Sequence, residues 1–254
     1  KQIRKVEVAF ESEVKLLNTL RDNSCPQFSL REIRDVKNSK SPKNFISRFK
    51  GSNLKLISSL VDITNYLTID YCRPLHVFDL DKIEGDIKIR YSQKGEEFLG
   101  LDENDYVLDD NMIVICDEKK IISLAGVMGG MNTACDEKTK NVLLESAYFD
   151  PEKIAHTGRR LNISSDARYR FERGIDPNST LDGMELATEM ILENCGGRAG
   201  SIIKDFGKLV INKEIVIDTN FIRKILGTNV DDSTILDKLS LIGCNVKKSK
   251  NQIN

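Results

Sequence analysis

The stretch LLESAYFDPEKIAHTGRRLNISSDARYRFERGIDP, residues 143–177, decides how this chain is read. A short apolar strand, Val142, Leu143 and Leu144, ends on a carboxylate, Glu145. Asp150-Pro151 then opens a helix. The Asp side chain caps free N–H groups, and Pro at the first helical position lacks only a donor that the helix leaves unused. Asn162 to Ser165 form a polar loop. A charged segment follows from Asp166 to Arg173, with Arg168, Arg170 and Arg173 set among Asp166 and Glu172. Asp176-Pro177 opens another helix. Glu145 and the Ser-Ser-Asp-Ala loop thus stand at the ends of elements, where a rigid scaffold presents side chains to a pocket. On the residues alone, a surface ion-pair network fits Glu145 and the charged run equally well.

The 254 residues allow one large domain or two small ones. A composition 40% hydrophobic and 30% charged is that of an ordinary soluble globular protein. The net charge of −1 supplies no global field for nucleic acid, so any such contact must be local. No apolar run approaches the ~18 residues that span a membrane. No secretory leader is visible. The chain opens on Lys1 and stops at Asn254 without an obvious terminus, as a piece of a longer polypeptide would. Six dispersed cysteines (25, 72, 116, 135, 195 and 244) form no C-x-x-C pair, and there are only two histidines. That pattern speaks against a zinc site and fits a reducing, cytoplasmic setting with most thiols buried.

Working outward, residues 4–10 and 28–36 alternate as half-buried strands. Glu13 to Arg21, apolar at 14, 16, 17 and 20, predicts a short helix, as does Asn44 to Phe49. Ser58 to Tyr71 carries apolar residues at 60, 63, 67 and 71, one helical face ended by Pro74. PLHVFD (74–79) alternates around His76 and is extended. From Ile83 to Ala147 short β-branched runs are separated by turn residues at 109–111, 117–119 and Gly129-Gly130, which suggests an antiparallel sandwich or curved sheet. Asn178 to Asn194 is the clearest helix, stopped by Cys195-Gly196-Gly197. After Gly207 the texture changes: a strand at Glu214–Asp218, then helices at Phe221–Leu226 and Ser233–Ile242. The expectation is an α+β fold, a β-rich sandwich-like core with packed helices over residues 1–208, followed at 209–254 by the first part of a small helical domain, cut off at Asn254.

Several residues invite chemistry. GVMGGMN (126–132) lacks both phosphate-loop spacings, so a tight turn or a close backbone approach is the better reading. His76 could be a metal ligand, an acid or base, or a structural wall. Ser164 and Ser165 sit in no nucleophile elbow, and hydrogen bonding suits Ser165 better than attack. Most of the arginines from Arg159 to Arg173 are expected to pair with neighbouring acids.

Three ordered blocks carry a resemblance: SLVDITNYLTIDYCRPLHVFDLDKI (59–83), SLAGVMGGMNTACDEKTKNVLLESAYFDP (123–151) and SSDARYRFERGIDP (164–177). Together they resemble the central editing domain of the β subunits of bacterial phenylalanyl-tRNA synthetases, from about residue 4 to about residue 207. Residues 209–254 resemble the start of the following small domain. The resemblance implies hydrolysis of mischarged Tyr-tRNA(Phe), because a hydrophobic synthetic pocket rejects an isostere bearing one extra hydroxyl poorly. It implies that Glu145 receives the phenol, that Gly129 lies against the ring or offers its backbone N–H, that Gly130 beside it also belongs to the substrate-binding set, that Ala167 keeps a pocket wall small, and that Ser165 makes a polar contact where Thr is common. It places His76 and Thr64 at the ester end, with water held there and assistance from the terminal ribose hydroxyl. Implied partners are the tRNA(Phe) acceptor end and a catalytic α subunit in an α2β2 assembly. That α subunit uses ATP and Mg2+; no cofactor or metal is implied for this chain. Lys55, a candidate RNA contact, stands where Arg is common, and Lys lacks its planar fork. Arg73 and Asp70 replace a common Gln and Glu, and Arg168 a common Ser. A non-catalytic structural or RNA-docking module of the same subunit is the alternative, and a nucleotide-binding enzyme using the 126–130 turn is a third.

Overall fold

Alternation along one strand builds the layers. The computed structural model describes residues 3–49, 55–207, 214–249 and 252–253. The chain divides into two compact units, residues 1–208 and 209–254.

In the first unit, β1 (Leu16–Asn18) and β2 (Gln27–Arg34) precede α1 (Lys43–Phe49) and α2 (Ser59–Asp70). Then come β3 (Leu75–Asp79), β4 (Ile87–Tyr91), β5 (Glu97–Leu99), β6 (Asp105–Val107), β7 (Ile113–Cys116), β8 (Ile121–Leu124) and β9 (Met128–Gly129). The unit finishes with β10 (Val142–Tyr148), α3 (Pro151–Arg160), α4 (Asp166–Phe171), α5 (Ser179–Cys195) and β11 (Arg198–Phe206). One sheet runs β1-β4-β7-β8-β9, another runs β11-β2-β10-β3, and β5 and β6 form a hairpin.

β10 lies inside the second sheet, antiparallel to both β2 and β3. Its side chains alternate between two cores, as a period of two requires. Leu143 and Ala147 join Phe28, Leu30 and Phe78 against Ile87, Ile89, Ile115 and Leu124 of the first sheet. Val142 and Leu144 join Leu60, Ile63 and Leu67 of α2 and Met184, Ala187 and Ile191 of α5. The result is a sheet-on-sheet sandwich with helices on its outer face, a mixed α/β architecture.

Several expectations are corrected. The strand does not end at Glu145: it runs on to Tyr148, so the carboxylate is mid-strand and points into the sandwich face. Residues 13–21 are not helical. Leu16–Asn18 pair in parallel with Ile87–Ile89, and Thr19 N–H donates to Ile89 O at 2.9 Å. That edge gives the backbone partners which a short, weakly amphipathic helix would not have had. Residues 4–10 pair only at their end, through a bridge from Phe10 to Gly200. The hairpin turn lies at 125–127, closed by Val127 N–H to Leu124 O at 2.9 Å, rather than at Gly129-Gly130. Gly129 pairs with Ser123 and Gly130 bridges Gly100. The charged run contains α4, which the spacing did not indicate. Of the six cysteines only Cys25, Cys116 and Cys195 are buried.

The second unit holds β12 (Ile217–Asp218), α6 (Thr219–Leu226), α7 (Asp232–Leu241), β13 (Lys248–Ser249) and β14 (Gln252–Ile253). Gly227, in a left-handed conformation at φ 66°, stops α6. A three-stranded sheet in the order β12-β14-β13 accompanies the helices, so this unit is not purely helical. Residues 208–213 lie outside the described part.

Candidate functional site

Glu145 occupies the same face of β10 as Leu143 and Ala147, between Leu30 on β2 and His76 on β3. Its neighbours on that face are apolar core, and Glu145 is only 6% exposed. It meets a cavity of about 520 Å³ at the β3 edge. Thr64 and Thr68 of α2 form one wall, Val127 and Gly129 of the β8–β9 hairpin a second, and Ala167 and Phe171 of α4 a third. The volume lies within the range of small-molecule pockets.

Among the described residues, no hydrogen-bond donor or ion-pair partner reaches the Glu145 carboxylate. Burial pushes its carboxyl up to about 8, and the charge of Arg73 pulls the other way. Across the strand pair, burial pushes the His76 imidazole down to about 4, so it is neutral near pH 7. Cross-strand neighbours are about 5 Å apart at Cβ. The His76 ring stacks edge-on against Phe78, centroids 4.4 Å apart. It reaches toward Gly129, where a Cβ would fall 2.3 Å from its Cε1. Gly129 is small because the imidazole occupies that space.

Thr64 is buried, and its Oγ1 donates to Val61 O at 2.9 Å. Ser165 caps α4: its Oγ accepts from Arg168 N–H at 3.1 Å and donates to Val127 O at 2.6 Å. The hydroxyl proton is therefore spent on tying α4 to the hairpin turn, and the polar contact expected of Ser165 can only be acceptance through its remaining lone pair. Ala167 stands on the cavity wall, partly buried against the sandwich core.

Other expected residues lie elsewhere. Gly130 is absent from the cavity wall. Its N–H donates to Ile122 O at 2.8 Å, and a Cβ there would come within 2.8 Å of that oxygen, so its small size serves strand packing. Lys55 is exposed in the irregular segment before α2, outside the cavity lining. Arg168 turns away from the cavity: it packs over Gly158, and its Nε donates to Glu172 at 3.0 Å. Arg170 pairs with Asp166 at 2.8 Å, Arg173 with Glu172 at 2.7 Å, and Arg160 with Asp109. The 126–130 segment is no phosphate cradle. Gly126, at φ 67°, is the tight turn itself and is crowded by Phe149, Ile154 and Phe171.

In the sequence, Arg73 marks only a departure from a common Gln. It follows Cys72, whose φ of 51° turns the chain from α2 into β3. It is 1% exposed. Nε donates to Ser179 Oγ at 3.0 Å, one terminal nitrogen to Ala147 O at 2.8 Å, and the other to Asp176 O at 2.6 Å. Burial lowers the guanidinium to about 10, which leaves it a cation at neutral pH. No spacing rule marks such a residue, because its partners come from positions 147, 176 and 179.

The B3/4 domain family matches residues 24–196. Phenylalanine–tRNA ligase β subunits are similar over most of the chain. That of Ruegeria pomeroyi is 44% identical over 221 residues, 87% of this chain and 28% of the relative. That of Paramagnetospirillum magneticum is 46% identical over 224 residues, 88% of this chain and 28% of the relative. That of Nitrobacter winogradskyi is 50% identical over 196 residues, 77% of this chain and 24% of the relative. The chain thus spans about a quarter of the length of these relatives. The crystal structure of an N-terminal fragment of the phenylalanyl-tRNA synthetase β subunit from Pyrococcus horikoshii shares the fold, with a TM-score of 0.53 at 15% identity over 99% of this chain and 70% of that one. The chain belongs to the B3/4 domain family and corresponds to the part of the phenylalanine–tRNA ligase β subunit that carries this domain.

Proposed function

We propose that this domain hydrolyses mischarged Tyr-tRNA(Phe), with the tyrosine side chain in the cavity and its phenol on Glu145. One observation carries the reading: a buried carboxyl without a partner among the described residues faces an otherwise largely apolar cavity. A group left that way costs about 1–3 kcal/mol, and a ligand hydroxyl satisfies it where a bare phenyl ring does not. With its carboxyl raised to about 8, Glu145 near pH 7 is mostly neutral and can both donate to and accept from a phenol. Binding then discriminates in favour of the substrate with the extra hydroxyl, the reverse of what a synthetic site must do.

The ester end falls to the α2 side. Neutral His76 and Thr64 hold the attacking water there by hydrogen bonds. An imidazole lowered to about 4 is a weak base at neutral pH, so its part is orientation rather than proton abstraction. The terminal ribose hydroxyl of the tRNA assists, and much of the acceleration comes from holding water and ester together. Gly129 keeps the imidazole edge free, Ala167 keeps room for the ring, and Ser165 fixes the wall that carries Ala167. Exposed Lys55 is assigned to the RNA. The domain works within an α2β2 assembly in the cytoplasm, and the α subunit performs aminoacylation with ATP and Mg2+.

The test is deacylation of Tyr-tRNA(Phe) by the full assembly, with Phe-tRNA(Phe) as control, before and after Glu145→Ala. Tyrosine release that loses tenfold or more of its preference over phenylalanine in the variant supports the assignment. No release by the unmodified assembly would leave this region a structural or docking module.

A further inference from the structure

We infer that Arg73 is the positioning residue of the cavity carboxyl: its guanidinium fixes the strand that carries Glu145 and supplies a buried positive charge beside that strand.

The geometry is specific. Arg73 bonds Ala147 O, two residues beyond Glu145 on the same face of β10. Its other donors fix Asp176 O and Ser179 Oγ, where the chain leaves α4 and enters α5. One side chain thereby joins the α2–β3 turn, the strand bearing Glu145, and the segment behind the cavity wall. Gly183 on α5 makes room for it, since a Cβ there would come within 2.5 Å of Arg73 Cγ.

Among the described residues, the charges around Glu145 leave this role to Arg73. From β3 comes neutral His76, which contributes no charge near pH 7. Ahead of β2 is the buried thiol of Cys25, pushed well up by burial and further by the charges of Glu145 and Asp205. From α4 comes Asp166 at the cavity edge, itself paired with Arg170. Asp176 bears on Arg73 rather than on the carboxyl. Arg73 is thus the cation that offsets the burial of Glu145, and burial still prevails. A neutral side chain at position 73 would leave the carboxyl protonated to higher pH.

This inference rests on the editing reading only for its consequence in catalysis, so its first test does not use catalysis. Glutamate carboxyl carbons of the 254-residue chain are labelled with 13C, and the Glu145 signal is assigned by its loss in Glu145→Gln. Arg73→Gln keeps amide donors but removes the charge. Its Glu145 midpoint is expected to rise by about one pH unit or more, a tenfold change in proton affinity. Arg73→Lys keeps the charge and is expected to hold the midpoint within half a unit, roughly, of the unmodified chain. An unchanged midpoint in folded Arg73→Gln overturns the inference. So does a rise in Arg73→Lys, the variant that decides the matter if Arg73→Gln does not fold. In the assembly, the alkaline limb of Tyr-tRNA(Phe) deacylation should move up with the Arg73→Gln midpoint. A shifted titration without any deacylation by the unmodified assembly would sink the editing reading alone.

Discussion

At the scale of single residues, the cavity is shaped by what is small as much as by what is polar. Ala167 is partly buried against the core beside Phe171, on the wall where an aromatic ring would lie. A larger side chain has open space on its cavity side only. Ala167→Trp should therefore fold, because its ring enters the cavity rather than the packed core, and should block tyrosine by filling the volume. The expected outcome is an unfolding midpoint close to that of the unmodified chain, with Tyr-tRNA(Phe) hydrolysis reduced a hundredfold or more. Normal hydrolysis by this variant would move the ring to another part of the cavity. Gly129 obeys the same logic from the opposite wall, where the His76 imidazole already fills the place of a side chain.

At the scale of elements, α4 connects the local sequence to the site. It is one short helix of six residues, and little in its own propensity would sustain it in isolation. Ser165 holds it twice over, by capping Arg168 N–H and by donating to Val127 O. Ser165→Ala removes both bonds and leaves the hairpin carbonyl without its donor. A loss of about 1–2 kcal/mol is expected, measurable by urea unfolding. Hydrolysis should fall with it through a higher KM, because the wall carrying Ala167 loosens. The residues announced this helix poorly: Asp166 to Arg173 reads as a run of interleaved charges, and only the Ser165 cap and buried Phe171 mark a helical turn. Elements with strong end signals were legible. Asp150-Pro151 opened α3, and the glycines after Cys195 closed α5. Strand β1 was not, because its partner lies some seventy residues away in β4 and sets the conformation of three residues whose apolar spacing fits a helix equally well. Glu145 and His76 were visible as residue types, and the resemblance named them together. Their direct opposition across two strands was not, since register is fixed by the whole sheet. Arg73 escaped for the same reason.

At the scale of the whole molecule, the site is a cost that the rest of the fold carries. The first unit buries one core on each face of the β11-β2-β10-β3 sheet, and then places a carboxyl that has no partner among the described residues in the face between the sheets. The Glu145 carboxyl is held at about 8, above the ordinary carboxylate value near 4.5. A raised carboxyl binds its proton more tightly in the folded state. Its contribution is therefore fully present below pH 4.5 and declines up to about pH 8, by about 1 kcal/mol per pH unit. His76 acts with the opposite slope: its lowered imidazole costs stability as pH falls from 6.5 toward 4. Between pH 4.5 and 6.5 the two slopes oppose each other, and above pH 6.5 the decline due to Glu145 stands alone. Glu145→Gln has no carboxyl to ionise, so its urea-unfolding free energy should lose that decline. The variant's stability relative to the unmodified chain should accordingly rise from pH 6.5 to 8. Parallel stability curves over that range would mean that Glu145 is already ionised in the fold, and the neutral, two-way hydrogen bond to the phenol would have to give way to a purely accepting carboxylate.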